Sequence, residues 1–560
     1  MRVASMAVCL LGGCLVLLAA RALSNEVLVG LRQKNLAELE HLFWRVSTPG
    51  SEEYLKFRSV DELAEMIAPE ADDIAEVKRW LVASGADPET LNISPLHDAI
   101  SATFAAPSPK TLLSDAVRPS GVEFVVHRGS KSEQQSSNPR LSSSSSSMGG
   151  YTVGNIKKAY GIPADLKASN ANSLQMVWGP GTFGYSIRQL QAFKDQQCPQ
   201  LDMEKVKFDT GNHGHVGDNY MEGNLDTQMI SSFGLGVTTL VSNTNTSAST
   251  EEGEGFGQAM LDFLTELPSR STLPQVLSLS LGSLSAYSCD LLISEGIKAG
   301  HTEKEIREFL QSQRQVCMFL NRDQVRRINT AFQLLGLRGV SVFGSSGDGG
   351  SHFSFQPFSG GAIADTLNKI SCAYAIPVFP TTSPYITSVG GTAWSGVLFK
   401  DSSKPIAWSG SGGGFSWEFG APSHQKEAVS AYLQGTSDLP PSSSFNASGR
   451  AYPDISAVAV EGTSQSSPMV AGIFSLVMDH RLNAGLPPLG FLGPRLYQVM
   501  ARSPGEAFES VTSGNTKTSC ETGFPAGQGW DPVTGWGRPK WPGLLAHFGS
   551  DEATAVNIAV

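Results

Sequence analysis

The chain has 560 residues, long enough for two or more domains. Charged residues are only 17% and there are 58 glycines, which excludes a coiled coil or a disordered chain and points to a loop-rich globular protein. The formal net charge of −11 at pH 7 argues against nucleic acid as a partner, and it falls toward zero and reverses in an acidic compartment.

Met1-Arg2, an apolar run from Ala7 to Ala20 and the string Ala20-Arg-Ala22 predict a cleaved secretory signal over residues 1–22. The run is shorter than the ~18 residues of a spanning helix. The mature form is therefore expected to carry no membrane span and to enter the secretory pathway. Beyond the signal stand Cys198, Cys289, Cys317, Cys372 and Cys520, so one or two disulfides are expected in that oxidising compartment. Cys289 with Cys317 is the expected pair, because the two bracket one charged, helix-like segment.

Residues 23–127 predict a small α/β unit. Asn35-x-x-Glu38 has the form of a capping box, followed by Leu36, Leu39, Phe43 and Val46 at helical spacing. Ser59-x-x-Glu62 opens a second helix that Pro69 closes. Asp73-x-x-Glu76 opens a third, with Ile74, Val77, Trp80 and Leu81 on one face and Gly85 after its end. Such a unit is either an independent binding domain or a propeptide that caps an enzyme. Residues 128–150, with Ser142 to Ser147 unbroken, form a flexible, cleavable linker, which favours the second alternative.

From residue 151 to 548, short apolar runs such as Gly339–Gly344 and Leu273–Leu281 alternate with amphipathic segments. This predicts an α/β fold with a parallel sheet covered by helices. Functional residues then gather at the carboxyl ends of strands. Residues 549–560 form a tail. Asn92, Asn245 and Asn446 begin Asn-x-Ser/Thr acceptor sites for glycosylation, with Pro95 next to the first.

Four stretches carry candidate chemistry. Glu461-Gly-Thr-Ser464 runs into an apolar helix with Pro468 near its start, which seats Ser464 beside a helix N-terminus as a nucleophile; a plain Ser-capped helix is the bland alternative. Glu222 and Asp226, four apart, share one helix face. Two such carboxyls couple, and a Glu held this way serves as a general base at acidic pH, where histidine is protonated. Asp348 ends an apolar strand in a Gly-rich turn; protonated, it donates to an oxyanion. Gly527, Gly529 and Asp531 lie in a loop whose carbonyls and carboxylate suit Ca²⁺.

Taken together, Gly462-Thr-Ser464, Glu222-x-x-x-Asp226 and Ser346-Gly-Asp348 resemble the sedolisins, the serine-carboxyl peptidases, and above all their tripeptidyl-peptidase members. The resemblance extends through Phe379-Pro-Thr-Thr-Ser-Pro-Tyr385, Ser411-Gly-Gly-Gly-Phe415, Gly449-Arg-Ala-Tyr-Pro-Asp454 and Gly529-Trp-Asp-Pro-Val-Thr-Gly-Trp-Gly537, and it covers nearly all of the chain after the signal. It implies a subtilisin-like α/β fold with helices on both faces of the sheet, synthesis as a zymogen inhibited by its own propeptide, and hydrolysis of peptide or protein substrates at acidic pH. The implied setting is a lysosome-like or vacuolar compartment, or secretion. By the same resemblance Ser464 is the nucleophile, Glu222 the base, Asp226 its orienting partner and Asp348 the oxyanion donor. One calcium ion is implied, held by Asp531 and the backbone oxygens of Val511, Gly527 and Gly529, with Ser510 where the family has its first calcium Asp. Release of tripeptides from free N-termini is the expected activity. A sedolisin-type endopeptidase and a catalytically inactive homologue acting as a binding protein are the alternatives.

Some features depart from the family pattern. Glu461 replaces a usual Ser and Gln465 a usual Ala, and the stretch from Asp454 to Gly462 is short, as if a hairpin were missing. Between Ser283 and Gly339 lies a larger, charged insertion holding Cys289 and Cys317, expected to reshape the substrate cleft. A true subtilisin, with His213-Gly-His215 supplying its base, is the enzymatic rival; Asp348 stands where those enzymes favour Asn.

Overall fold

The computed structural model describes residues 25–104, 118–128, 150–181, 183–209, 221–244, 255–313, 316–353, 357–395 and 404–551. The expected signal, nearly all of the linker, the end of the tail, His213, His215 and Asn245 lie outside the described residues. Among the described residues no helix is long and apolar enough to cross a membrane.

The N-terminal unit is an antiparallel sheet of β1 (Asn25–Leu31), β2 (Asn92–Ile93), β3 (Ala99–Phe104) and β4 (Val122–Arg128), in the order β2-β3-β1-β4. Three helices, Leu36–Ser47, Val60–Ile67 and Ala71–Ala83, accompany it. The Ser59 capping box forms as expected: Ser59 Oγ accepts from the Glu62 N–H and the Glu62 carboxylate accepts from the Ser59 N–H. Two other helix starts differ from expectation. Asn35 adopts φ 54° with no side-chain cap, because its amide donates to the Met66 carbonyl (2.9 Å) and ties two helices together instead. The third helix begins at Ala71, two residues before Asp73, with Glu70 at its N-cap.

The larger unit is built on an eight-stranded sheet. Its strands are β5 (Leu174–Pro180), β6 (Val206–Phe208), β7 (Thr238–Thr244), β8 (Val276–Leu279), β9 (Ser341–Ser345), β10 (Thr387–Trp394) and β11 (Pro405–Ala407). Their order is β11-β10-β9-β8-β5-β7-β6, and β14 (Ile455–Val458) also pairs with β10. All pairings are parallel except that of β10 with β11. A separate antiparallel pair joins β12 (Gly414–Gly420) to β13 (Gly449–Tyr452). The expected strand over Leu273–Leu281 shrinks to β8, since Pro274 cannot donate to a ladder.

Burial on both faces explains the unbroken apolar runs. Val177 points into a core shared with Ile230, Phe233, Met469, Ile473 and Phe474, while its neighbours Met176 and Trp178 join Phe256, Phe263, Ile328 and Phe332 on the opposite face. One face thus carries helices Met221–Phe233 and Thr463–Asn483, the other Gly255–Glu266 and Arg322–Leu337. The Thr463–Asn483 helix is buried nearly all round, in keeping with the mainly apolar run from Met469 to Met478 at its centre. It runs behind β8, β9 and β10, so its first residues emerge at their carboxyl ends.

The insertion folds as helices Ala286–Lys298 and Glu303–Ser312. Leu292 and Ile306 pack on Leu367 and Ile370 of helix Ala362–Ala373. The expected Cys289–Cys317 disulfide forms, and Cys372 pairs with Cys520; Cys198 is buried and unpaired. The N-terminal unit docks where Phe43 and Leu39 meet Leu334, Leu337 and Phe491. Buried Arg327 reaches from the larger unit to Asp98 (2.8 Å), Glu123 (3.0 Å) and the Leu31 carbonyl (2.8 Å).

Candidate active site

Glu222 and Asp226 lie in the first two turns of helix Met221–Phe233, Ser464 is the second residue of helix Thr463–Asn483, and Asp348 follows β9. Gly462 adopts φ 96°, and a Cβ there would come within 2.5 Å of Asp348 Oδ2, so only glycine lets the two segments meet. Thr463 closes the join. Its N–H and its hydroxyl both donate to Asp348 Oδ1, and the hydroxyl accepts from the Gly347 N–H (3.1 Å).

Ser280, just past β8, links the nucleophile to the carboxyl pair. Its hydroxyl donates to Asp226 Oδ1 at 2.8 Å, and its carbonyl accepts from the Ser464 hydroxyl at 3.4 Å. Pro468 has a part in this. It falls in the second turn of its helix rather than at the start, and it has no N–H to give the carbonyl four residues back, that of Ser464. That freed carbonyl faces the Ser280 hydroxyl at 3.5 Å.

Asp226 is fully buried, and among the described residues its Oδ2 and Glu222 Oε1 have no hydrogen-bond partner. Burial pushes the Glu222 carboxyl up to about 7, against a hydrogen bond from Ser464 and with a further push from Asp348. Burial and then the Glu222 charge raise Asp226 well above the carboxylate range, against its bond from Ser280. Burial also raises Asp348, opposed by the two Thr463 bonds. Three carboxyls held toward their protonated forms around one serine suit proton transfer in acid, with a carboxylate as base and a carboxylic acid as donor.

The four candidate catalytic residues therefore converge. The short connection from β14 to Gly462 does not prevent it: the two residues that depart from the family pattern brace the turn, with Gln465 Oε1 accepting from the Glu461 N–H (3.2 Å). Thr463 and Ser280 are not among the residues singled out from the sequence. Ser280 was visible only as a polar residue ending an apolar strand run.

The candidate metal residues also come together. Ser510 Oγ lies 3.4 Å from the Gly529 carbonyl, Asp531 Oδ2 accepts from the Gly527 N–H (3.1 Å), and Val511 is buried beside them. Asp531 is buried and also accepts from Val533, Thr534 and the Thr534 hydroxyl. Glu509, the adjacent acid, is taken by Arg538 (2.6 Å). The donors suit calcium in kind, all being hard oxygens, but Asp531 alone brings a charge. Among the described residues no group of three or more His, Cys, Asp or Glu could hold a metal.

A family model, the pro-kumamolisin activation domain, matches residues 19–114. Tripeptidyl-peptidase 1 of Canis lupus familiaris is 30% identical over 571 residues, covering 92% of this chain and 90% of that protein. The chain belongs to the tripeptidyl-peptidase 1 family. The Homo sapiens protein of that name is also 30% identical and the Mus musculus protein 31%, with the same coverage. Among solved structures, Pseudomonas sedolisin (serine-carboxyl proteinase) complexed with two molecules of pseudo-iodotyrostatin aligns over 71% of this chain and 97% of its own at 22% identity, with a TM-score of 0.48. As a member of the tripeptidyl-peptidase 1 family, the chain is a serine-type peptidase made as a zymogen, with an activation domain in its N-terminal unit.

Proposed function

We propose that the chain is an acid-acting peptidase that removes tripeptides from free N-termini through an acyl-enzyme at Ser464. The observation that carries this reading is the convergence of Ser464, Glu222, Asp226 and Asp348 through Ser280 and Thr463. Ser464 Oγ attacks the scissile carbonyl carbon and passes its proton to Glu222. Asp226 holds Glu222 in place and, with its raised pKa, keeps the pair's proton on its own side. Asp348 donates to the carbonyl oxygen as it gains charge. Collapse expels the amine with the proton from Glu222, and Glu222 then draws a proton from the water that releases the acyl group.

Residues 1–22 serve as signal, 23–127 as propeptide, 128–150 as the cleaved linker and 151–548 as the catalytic unit, with 549–560 as a tail. The mature enzyme works in a lysosome-like, vacuolar or extracellular acidic setting on peptide or protein substrates. A calcium ion would be held by Asp531 and the carbonyls of Val511, Gly527 and Gly529, with Ser510 as a neutral neighbour, and would stiffen the loop without entering the reaction. Exposed Asn92 is open to glycosylation, whereas the Asn446 amide is engaged with the Ser416 carbonyl (3.2 Å).

The test holds the purified precursor and its Ser464→Ala variant at about pH 4 and about pH 7, on either side of the carboxyl range. Mass spectrometry follows the propeptide junction and a mixed set of peptides. Maturation only in acid and stepwise loss of N-terminal tripeptides, both absent from the variant, are expected. Internal cuts would make the enzyme an endopeptidase with the same chemistry. Uptake of an acylating probe by Ser464 without cleavage would leave the substrate class wrong, and failure to label would mark an inactive binding protein.

A further inference from the structure

Beyond the carboxyl end of β9 the chain turns through Asp348 to Phe353, and three other segments hold this turn. The first is the stretch before β12: the Gly412 N–H donates to the Gly347 carbonyl (2.7 Å), and the Gly410 carbonyl accepts from the Gly350 N–H (3.1 Å). The second is helix Ala362–Ala373, where the Ser371 hydroxyl accepts from the Phe353 N–H (3.3 Å) and Asn368 Oδ1 lies 3.2 Å from His352 Nε2.

The third is the loop between Asn515 and Pro525, which meet in an isolated antiparallel bridge. Within it Thr516 is fully buried and uses every polar group it has. Its N–H donates to the Phe524 carbonyl (3.0 Å), and its carbonyl accepts from the Ser351 N–H (2.7 Å). Its hydroxyl accepts from the Phe524 N–H (2.9 Å) and shares a hydrogen bond with the Ser351 hydroxyl (2.7 Å). Gly350 has φ 62°, and a Cβ there would collide with the Thr516 carbonyl oxygen, so turn and loop meet backbone to backbone.

The supports are also tied to one another. Cys520, in the loop, is joined to Cys372, next to Ser371 on the helix. The Thr518 hydroxyl donates to the Ser409 carbonyl, beside the stretch that holds Gly350. From inside the site Thr463 holds the Asp348 carboxylate, while the backbone after Asp348 is held from the far side by Thr516. An oxyanion donor works only when it lies within hydrogen-bond reach of the oxygen that gains charge, and a misplacement of about 1 Å can cost about 10²-fold in rate.

We propose that Thr516 is a positioning residue for Asp348, fixing through Ser351 the turn that aims this acid at the reacting carbonyl. Its hydrogen bonds go to Ser351 and Phe524, not to the four candidate catalytic residues. This inference rests on the peptidase reading above, in which Asp348 is the oxyanion donor.

The test uses full-length precursor matured in acid, with folded sites counted by complete labelling of Ser464 with an acylating probe. The substrate is the peptide of the mixed set that wild type cleaves fastest. Thr516→Val keeps the shape and the backbone bonds but removes the hydroxyl. It should lower kcat per labelled site by about tenfold and leave KM nearly unchanged, because the oxyanion contact is made only in the transition state. Thr516→Ser keeps the hydroxyl and should retain wild-type kcat to within about threefold. Ser351→Ala removes the other half of the hydroxyl pair and should also lower kcat by about tenfold. The double variant Thr516→Val with Ser351→Ala should fall no further than the weaker of the two single variants, since both break one shared bond. A Thr516→Val enzyme with kcat within about threefold of wild type, whatever its Tm, would overturn the assignment while leaving the peptidase reading intact. So would a loss carried by KM instead of kcat, or full additivity in the double variant. A wild type that cleaves no peptide and does not label at Ser464 would overturn both.

Discussion

Both donors of Thr463, its N–H and its hydroxyl, end on the same oxygen of Asp348 at 2.7 Å each, so the residue before Ser464 holds the acid proposed to face the reacting carbonyl. These bonds favour the ionised carboxyl and oppose the effect of burial. Thr463→Val removes the hydroxyl bond and keeps the N–H. The Asp348 pKa should then rise and the alkaline limb of kcat/KM move to higher pH. The loss of fixed orientation should also lower kcat by roughly tenfold, in the range of general-acid effects. A pH series on the matured enzyme checks both, and an unmoved alkaline limb would separate Asp348 from the titrating acid.

Glu222 links catalysis to stability with a definite sign. Burial pushes its carboxyl up to about 7 and raises its partner Asp226 well above the usual range, so the folded pair binds its proton more tightly than the unfolded chain does. Stability is therefore full below about pH 4.5 and falls as pH rises toward 7, by up to about 2 kcal/mol after allowance for partial exposure. In a Ser464→Ala background, Glu222→Gln should flatten the fall in Tm between pH 4.5 and 7. In the active enzyme the same substitution should lower kcat by about 10²-fold or more. An unchanged Tm profile would place the Glu222 proton in solvent-like surroundings.

Arg327 is a buried cation whose carboxylate partners, Asp98 and Glu123, both belong to the N-terminal unit. Arg327→Ala leaves two buried carboxyls without their cation and should weaken docking by about 3–5 kcal/mol. The N-terminal unit of the variant precursor should be cut by limited proteolysis faster than that of wild type at the same pH. Equal rates would show the contact to be energetically neutral.

The loop proposed to hold calcium offers one formal charge, on Asp531, with Ser510 where a second acid would strengthen the site. Affinity should be near 10⁻⁴–10⁻³ M, the weak end of oxygen-ligated sites. Ser510→Asp should tighten it by at least tenfold, measured as the calcium dependence of Tm with magnesium as control. Equal response to both ions in the variant would remove the loop from consideration as a calcium site.

The clustering of the candidate residues was legible because they sit at strand ends and helix starts, where Gly-Thr-Ser464, Glu222-x-x-x-Asp226 and Ser-Gly-Asp348 keep fixed local forms. The parallel sheet was legible for a similar reason: strands buried on both faces, such as β8 and β9, read as unbroken apolar runs. Tertiary competition was not legible. Asn35 has the sequence of a cap, yet the Met66 carbonyl, 31 residues on, wins its amide. Pro468 read as a helix start, whereas the Asp348–Thr463 bonds begin the helix five residues earlier and turn the proline into a device that frees the Ser464 carbonyl. Ser280 and Thr463 were missed because their work is to join elements that lie far apart in the chain.

His424 puts a further pH dependence at the seam between the two units. Its ring lies 5.9 Å from Trp44 of the activation domain and 5.1 Å from Tyr497, and its buried Nδ1 has no hydrogen-bond partner among the described residues. Arg450, paired with Asp454, is the nearby charge, and Glu40 beyond Trp44 is held by the Tyr385 hydroxyl. Burial, then Arg450, push the His424 pKa down to about 3. The unfolded chain therefore takes up this proton first, and stability is lost as pH falls from about 6.5 toward 3. At pH 4.5 the loss should be about 2 kcal/mol. His424→Gln stays neutral throughout, so its precursor should keep more of its Tm in acid and release the activation domain at a lower pH than wild type. In matured enzyme, where Trp44 no longer covers the ring, the two proteins should differ less. A His424→Gln precursor that loses stability in acid as steeply as wild type would remove His424 as the source of the acid sensitivity.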